Sequence, residues 1–421
     1  PELRDAYNNC LAKLSEYATE IGQNEALFGA YSKIAEGKEF ATLDEAQQKT
    51  ISNEIRDFQL AGVALEEDKK QRFKTLSQRL SELSSKFNEN VLDATQGWKK
   101  TITDAKQLSG LPETALGYAK ETAARESVQG WVLTLEAPSY VPILMYADDA
   151  DLREELYEAS TTRASDRGPN AGMWDNSELI EEILALRHEK ANLLGFANFA
   201  EYSLATKMAR NPEQVVAFLE DLATKAKLVA EKDLAELKAF AAEHWQVEAL
   251  NAWDIAYYSE KLREHRYDVN QEELRPYFPV PKVLQGLFEI VGRLYGLDIN
   301  ERHDIEVWDE HVQFFEVRDD TGGLRGQFYL DLFSRPHKRG GAWMDECHVR
   351  KRIGDDIQIP VAYLTCNFTP PVNDKPSLLS HDEVTTLFHE FGHGLHHLLT
   401  RVDYSAVSGI NGVEWDAVEL P

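Results

Sequence analysis

Apolar positions recur every three or four residues over residues 1 to about 125, which predicts one helix after another. The longest such run, DKKQRFKTLSQRLSELSSKFNENVLDA (68–94), reads as a core-facing helix. Residues 128–146, VQGWVLTLEAPSYVPILMY, break the period, and Trp131 to Leu135 predicts a short strand closed by Pro138. Helical spacing resumes near residue 150 and continues to about 245. Within it, Asn211-Pro212-Glu213 supplies a capping side chain and then proline at the first helical position. RPYFPVPKV (275–283) punctuates the chain before another helix, GLFEIVGRLYGL.

From about residue 311 the period changes to two. HVQFFEVRDDTGGLRGQFYLDLF predicts a hairpin over 311–332 that turns at 319–323. IPVAYLTCNF (359–368) predicts a further strand, and PPVNDKP (370–376) a loop. A last helix is expected over 381–399, where Ser380 and Glu383 form a capping box. The pattern therefore predicts a mainly α protein: a helical region over 1–300, and a unit over 301–421 that sets a small sheet beside the last helix.

Composition narrows the function. With 72 acidic against 45 basic residues the net charge is −27, a poor match for nucleic acid, which needs clustered Lys and Arg. No run of about 18 apolar residues exists to span a membrane. Cys10, Cys347 and Cys366 are odd in number and widely spaced, which fits a reducing, cytoplasmic setting better than a disulfide framework. The chain begins at Pro1 rather than Met, so the natural N-terminus is expected upstream.

The candidate chemistry lies in TTLFHEFGHGLHHLL (385–399). His389 and His393 are four apart, so both imidazoles leave one face of the helix one turn apart and can hold one ion. Glu390 points about 100° away, suited to act as a general base on a metal-activated water rather than as a ligand. A catalytic zinc needs a third protein ligand and an open fourth position. His396 is one rival, but it sits roughly 10 Å further along the axis than His389. After the break at Ser408-Gly409-Ile410-Asn411-Gly412, Val413 to Leu420 begins an amphipathic stretch expected to form a second helix. That helix offers Glu419 or Glu414 as the third ligand, with Asp416 placed to orient His389 or His393 through the other ring nitrogen. Arg335-Pro336-His337-Lys338-Arg339 has no surrounding phosphate-loop pattern and reads as a solvated loop, with contact to a peptide carboxylate as the alternative. Trp253-Asp254 and Tyr257-Tyr258 read as packing rather than a stacking platform.

PSLLSHDEVTTLFHEFGHGLHH, GQFYLDLFSRPHKRGGAWMDEC, VAYLTCNF, SGINGVEWDAVELP, WDIAYYSEK and TRASDRGPNAGMWDN together resemble the thimet oligopeptidase and neurolysin family of zinc metallopeptidases, across essentially the whole chain. The resemblance implies one Zn²⁺ held by His389, His393 and Glu419, with Glu390 as the base of an endopeptidase acting on short unstructured peptides. It also implies a two-lobed helical zincin with a deep channel, its walls largely from 1–300 and the first part of the catalytic region from 301–421. Ala362, Tyr363, Leu364, Asn367 and His396 are expected to face substrate, the strand adding main-chain hydrogen bonds to an extended peptide. A related HEFGH zinc carboxypeptidase and a non-catalytic peptide-binding relative are the competing readings. The family pattern continues past Glu419 into helices that supply a His and Tyr group for the oxyanion. The chain is thus expected to be an internal fragment, a monomer that binds zinc weakly and turns over little by itself.

Overall fold

The computed structural model describes residues 2–371 and 376–420, so the middle of the expected PPVNDKP loop lies outside the described residues. Helical spacing in the first part becomes α1 (Glu2–Gly22), α2 (Glu25–Glu36), α3 (Glu45–Leu60) and α4 (Glu67–Gly97). Asn24 caps α2, and Asp44 with Gln47 forms a capping box on α3. α1 lies antiparallel on α4: Arg4 meets Asp93 with two bonds of 2.8 Å, while Lys74 reaches back to Glu16 and Glu20.

Residues 131–134 do form a strand, and its partner is one the periodicity hides. β1 (Lys99–Ile102) pairs antiparallel with β2 (Trp131–Thr134), and only one of its four residues is buried. α5 (Glu113–Arg125), α6 (Ala137–Tyr146) and α7 (Ala150–Thr161) enclose this ribbon around Ile102, Leu133, Ile143 and Leu156. α8 (Ser177–Leu193) and α9 (Phe199–Leu204) follow. α10 (Pro212–Trp245) starts where expected, with the Asn211 side chain accepting from the Gln214 N–H. At 34 residues it is about 50 Å long, and Phe218, Leu222, Leu228 and Val229 stand exposed on it. α11 (Ile255–Tyr267), α12 (Gln271–Leu274) and α13 (Val280–Tyr295) complete the helical region. Tyr257 and Tyr258 are buried as packing residues, and Asp254 forms a buried ion pair with Arg153 at 2.6 Å.

The five-stranded sheet runs in the order β3 (Leu297–Arg302), β4 (Gln313–Asp319), β5 (Leu324–Phe333), β9 (Val361–Phe368), β6 (Trp343–His348). β7 (Lys351–Ile353) and β8 (Asp356–Gln358) make a separate small hairpin. The expected hairpin is β4–β5, closed by Asp319, whose Oδ1 accepts from the Thr321 and Gly323 N–H groups. β5 and β9 run parallel, with Phe328 opposite Ala362 and Leu330 opposite Leu364. These alternate residues face α13 and α14 (His381–Leu398), where Leu387, Phe391 and Leu398 close the core.

β9 is therefore an interior strand, hydrogen-bonded to β5 on one side and to β6 on the other. The expectation that Ala362 to Asn367 lends main-chain bonds to a peptide is corrected: no edge of this strand is free. Ala362 and Leu364 are buried under α14, Tyr363 stacks on Tyr329, and the Asn367 amide donates to the Arg339 and Gly341 carbonyls. Among the described residues, the strand at this end of the sheet with an unpaired edge is β6.

Candidate metal centre

The two imidazoles sit where the helix puts them. Ser380 accepts from the Glu383 N–H, and the Glu383 carboxylate accepts from the Ser380 N–H and from Arg275. This fixes the start of α14, so the 3.6-residue period delivers His389 and His393 to one face. At the other end Leu398 lies over β5, where a Cβ on Gly326 would come within 2.8 Å of it. Glycine at 326 lets the helix approach the sheet this closely.

Among the described residues, His389, His393 and Glu419 are the one group of three or more metal-capable side chains whose donor atoms converge, all lying within 4.8 Å of one another. The Nε2 atoms of His389 and His393 are 3.2 Å apart. Glu419 Oε2 lies 2.9 Å from the first and 3.2 Å from the second. A tetrahedral zinc at about 2.0–2.1 Å from each donor sets its ligand atoms roughly 3.3 Å apart, so this N,N,O set fits the ion. Two nitrogens and a carboxylate oxygen crowded together are also the chemistry a divalent cation relieves.

Glu390 is buried beneath this face, with the Met344 N–H of β6 close to its carboxylate. Burial pushes its pKa up; the two imidazoles and the Met344 N–H pull it down, and Glu419 adds to the rise. The net effect is a carboxylate with raised affinity for a proton.

The route by which Glu419 arrives differs from expectation. Residues 415–419 form turns rather than a helix, held by Ala417 N–H to Glu414 O and Leu420 N–H to Ala417 O. Gly412, at φ +74°, breaks the backbone just ahead of these turns. Three tethers fix the segment instead. The Asn411 amide donates to Glu346 on β6, Glu414 pairs with Lys49 of α3 at 3.0 Å, and Asp416 accepts from the Met208 and Ala209 N–H groups at 2.9 and 3.0 Å. Asp416 therefore does not orient either imidazole; both of its oxygens serve the chain just ahead of α10. These partners are 65 to 365 positions away in sequence, so no local pattern announces them.

His396 stands apart from the group, lining a separate cavity with Leu399 and Gly409, and burial lowers its pKa. His397 is fully buried, and its Nε2 lies 3.0 Å from the His348 carbonyl, joining α14 to the end of β6. The basic cluster is the solvated loop expected at Pro336, His337 and Arg339, which are exposed, but not at Arg335 and Lys338. Arg335 makes two bonds to Asp331, and Lys338 donates to Asp331 Oδ1 and to the carbonyls of Asp331, Phe333 and Cys366.

Two family models match the chain: peptidase family M3 over residues 143–421, and the N-terminal domain of neurolysin/thimet oligopeptidase over residues 1–70. Oligopeptidase A from Salmonella typhimurium is 57% identical and that from Escherichia coli 56%, each over 100% of this chain and 62% of its own length. Dipeptidyl carboxypeptidase from Escherichia coli is 32% identical over 97% of this chain and 60% of its own. The chain thus spans about three fifths of the length of these relatives. No helix among the described residues is long and apolar enough to cross a membrane. With a match covering its whole second part, from α6 to the turn that carries Glu419, the chain belongs to peptidase family M3.

Proposed function

We propose that this chain carries the hydrolytic centre of a zinc oligopeptidase acting on short, unstructured peptides, with His389, His393 and Glu419 as the ligand set and Glu390 as general base. The convergence of two imidazole nitrogens and one carboxylate oxygen within 2.9–3.2 Å carries the reading. A zinc ion held there supplies Lewis acidity, which polarises a peptide carbonyl and acidifies a water near neutral pH.

The chain's own residues do the rest. Glu390, desolvated and with its proton affinity raised, accepts a proton from the water that attacks the peptide carbonyl and returns it to the amine nitrogen as the C–N bond breaks. The unpaired edge of β6 runs beside Glu390 and supplies main-chain partners for an extended peptide. Such an edge accepts an unfolded strand and rejects a folded domain, whose backbone is already paired.

Glu390→Gln in the full-length protein tests the assignment. It should retain zinc, measured by elemental analysis, and lose hydrolysis of an internally quenched peptide by about 10²–10⁴-fold. Retained turnover would remove Glu390 from the base role. The match to dipeptidyl carboxypeptidase favours a second reading, removal of residues from a free C-terminus. A substrate blocked at both ends separates the two: only an endopeptidase cleaves it.

A further inference from the structure

A cleft of about 460 Å³ opens between the helical region and the loop at 334–341. Its walls bring together hydrogen-bond donors that lack a carboxylate. Arg163, half-buried after α7, donates to the Ser160 carbonyl and Thr95 Oγ1 and makes no ion pair among the described residues. Arg339 lies over the Trp343 ring at 4.7 Å and likewise pairs with no acid among the described residues. Gln96 Nε2 is buried with no acceptor among the described residues. Lys338 also lines the cleft but is committed to Asp331. The acid on the wall, Glu136, accepts from the Tyr118 hydroxyl at 2.7 Å. In a chain with 72 acids and 45 bases, two arginines lining one cavity with no ion pair among the described residues mark a place suited to an incoming carboxylate.

The cleft is also in line with the centre. Gly340 and Gly341 line it and run directly into β6. Met344, three residues beyond Gly341, is the β6 residue whose N–H lies close to Glu390. At about 3.3 Å per residue, the cleft begins roughly 10 Å from Glu390 along that edge. A second cavity of about 310 Å³ adjoins it, sharing Val141, Gly341 and Asn367 and reaching Thr386, three residues before His389 on α14; Glu272, Arg275, Asp382 and Glu383 also stand on its wall.

We propose that Arg163 and Arg339, with Gln96 beside them, form a subsite for a peptide carboxylate about three residues along the β6 edge from the bond held at Glu390. The proposal rests on the peptide-cleft reading above. The carboxylate has two sources, the free C-terminus of a short peptide or an Asp or Glu side chain at that distance. A guanidinium supplies parallel donors that match the two oxygens in either case.

Direct binding, independent of turnover, is the test. Fluorescein-labelled hexa-alanine is titrated with the metal-free chain as the free acid, as the C-terminal amide, and as the amide with aspartate in the last position; anisotropy is read. The free acid should bind about 10- to 100-fold tighter than the amide, the range expected for charge-assisted hydrogen bonds. Arg339→Gln should erase that difference while leaving the amide's affinity in place, and Arg339→Lys should restore part of it. Circular dichroism melts check that both variants fold. Recovery of tight binding by the aspartate amide assigns the subsite to side chains as well as termini. Equal binding of acid and amide overturns the subsite but leaves the peptide cleft standing. Binding of neither peptide sinks the cleft reading and the subsite with it.

Discussion

At the scale of single residues, a buried electrostatic knot lies outside the candidate centre, at Asp331. Its side chain is 7% exposed and accepts from Arg335, Lys338 and Trp308. Burial pushes its carboxyl up, yet the bonds from Arg335 and Lys338 outweigh that and hold the pKa below the ordinary value. A group depressed in the folded state contributes fully above its unfolded pKa of about 3.9, and the contribution is lost as pH falls through the folded value. Asp331→Asn should therefore cost about 3–5 kcal/mol at pH 7, because Lys338 stays buried without its charge partner. The cost should shrink on acidification below about pH 4. Urea unfolding across a pH series measures it; an equal loss at pH 3 and pH 7 would show that charge is not the cause. This knot was not legible in the sequence. The period-two reading assigns one face of β5 to the core, whereas Asp331 is buried out of phase with it, between two buried leucines. By contrast, the relation of His389, His393 and Glu390 needs only helix geometry, so spacing alone placed them correctly on α14.

At the scale of elements, α14 is positioned by its two ends. Ser380→Ala removes the cap and should cost about 1 kcal/mol. Gly326→Ala acts at the other end, where the added methyl would meet Leu398 at 2.8–2.9 Å, and should cost about 1–3 kcal/mol. Because it pushes the whole helix off β5, it should also weaken zinc binding, although residue 326 touches none of the three ligands. Chemical melts with a parallel zinc titration check both; unaltered melting of Gly326→Ala would mean the sheet absorbs the methyl freely. β4, β5 and β9, rich in aromatic and aliphatic residues, were readable from pattern although none alternates strictly in burial. β3 and β6 were not, since LDINER and WMDECH lie at the two ends of the sheet and mix polar residues into both faces. Without β6, β9 looked like the edge, because strand order is a long-range property that periodicity does not carry.

For the whole molecule, the candidate centre depends on contacts that join distant parts. The segment bearing Glu419 is fastened to α3 through Lys49, to β6 through Glu346, and to the chain before α10 through Asp416. Glu419 itself is 67% exposed, so its position is set by these fastenings rather than by packing. Asp416→Ala should lower zinc affinity by about tenfold, the lower range for losing a group that supports a ligand. Competition with a chromogenic chelator measures this, and unchanged affinity would show that the other two tethers suffice. Sequence placed Asp416 near the site for the wrong reason: spacing pointed its carboxylate at a ring, whereas the fold spends it on two backbone amides 207 and 208 positions away.

That clasp has a mechanical side. Met208 and Ala209 sit just before a rod 34 residues long, and Glu419 follows Asp416 by only three positions. The two amides and the carboxylate they hold thus share one short stretch of chain with the ligand oxygen, so the near end of the rod and the rings beside Glu419 are kept in a common register.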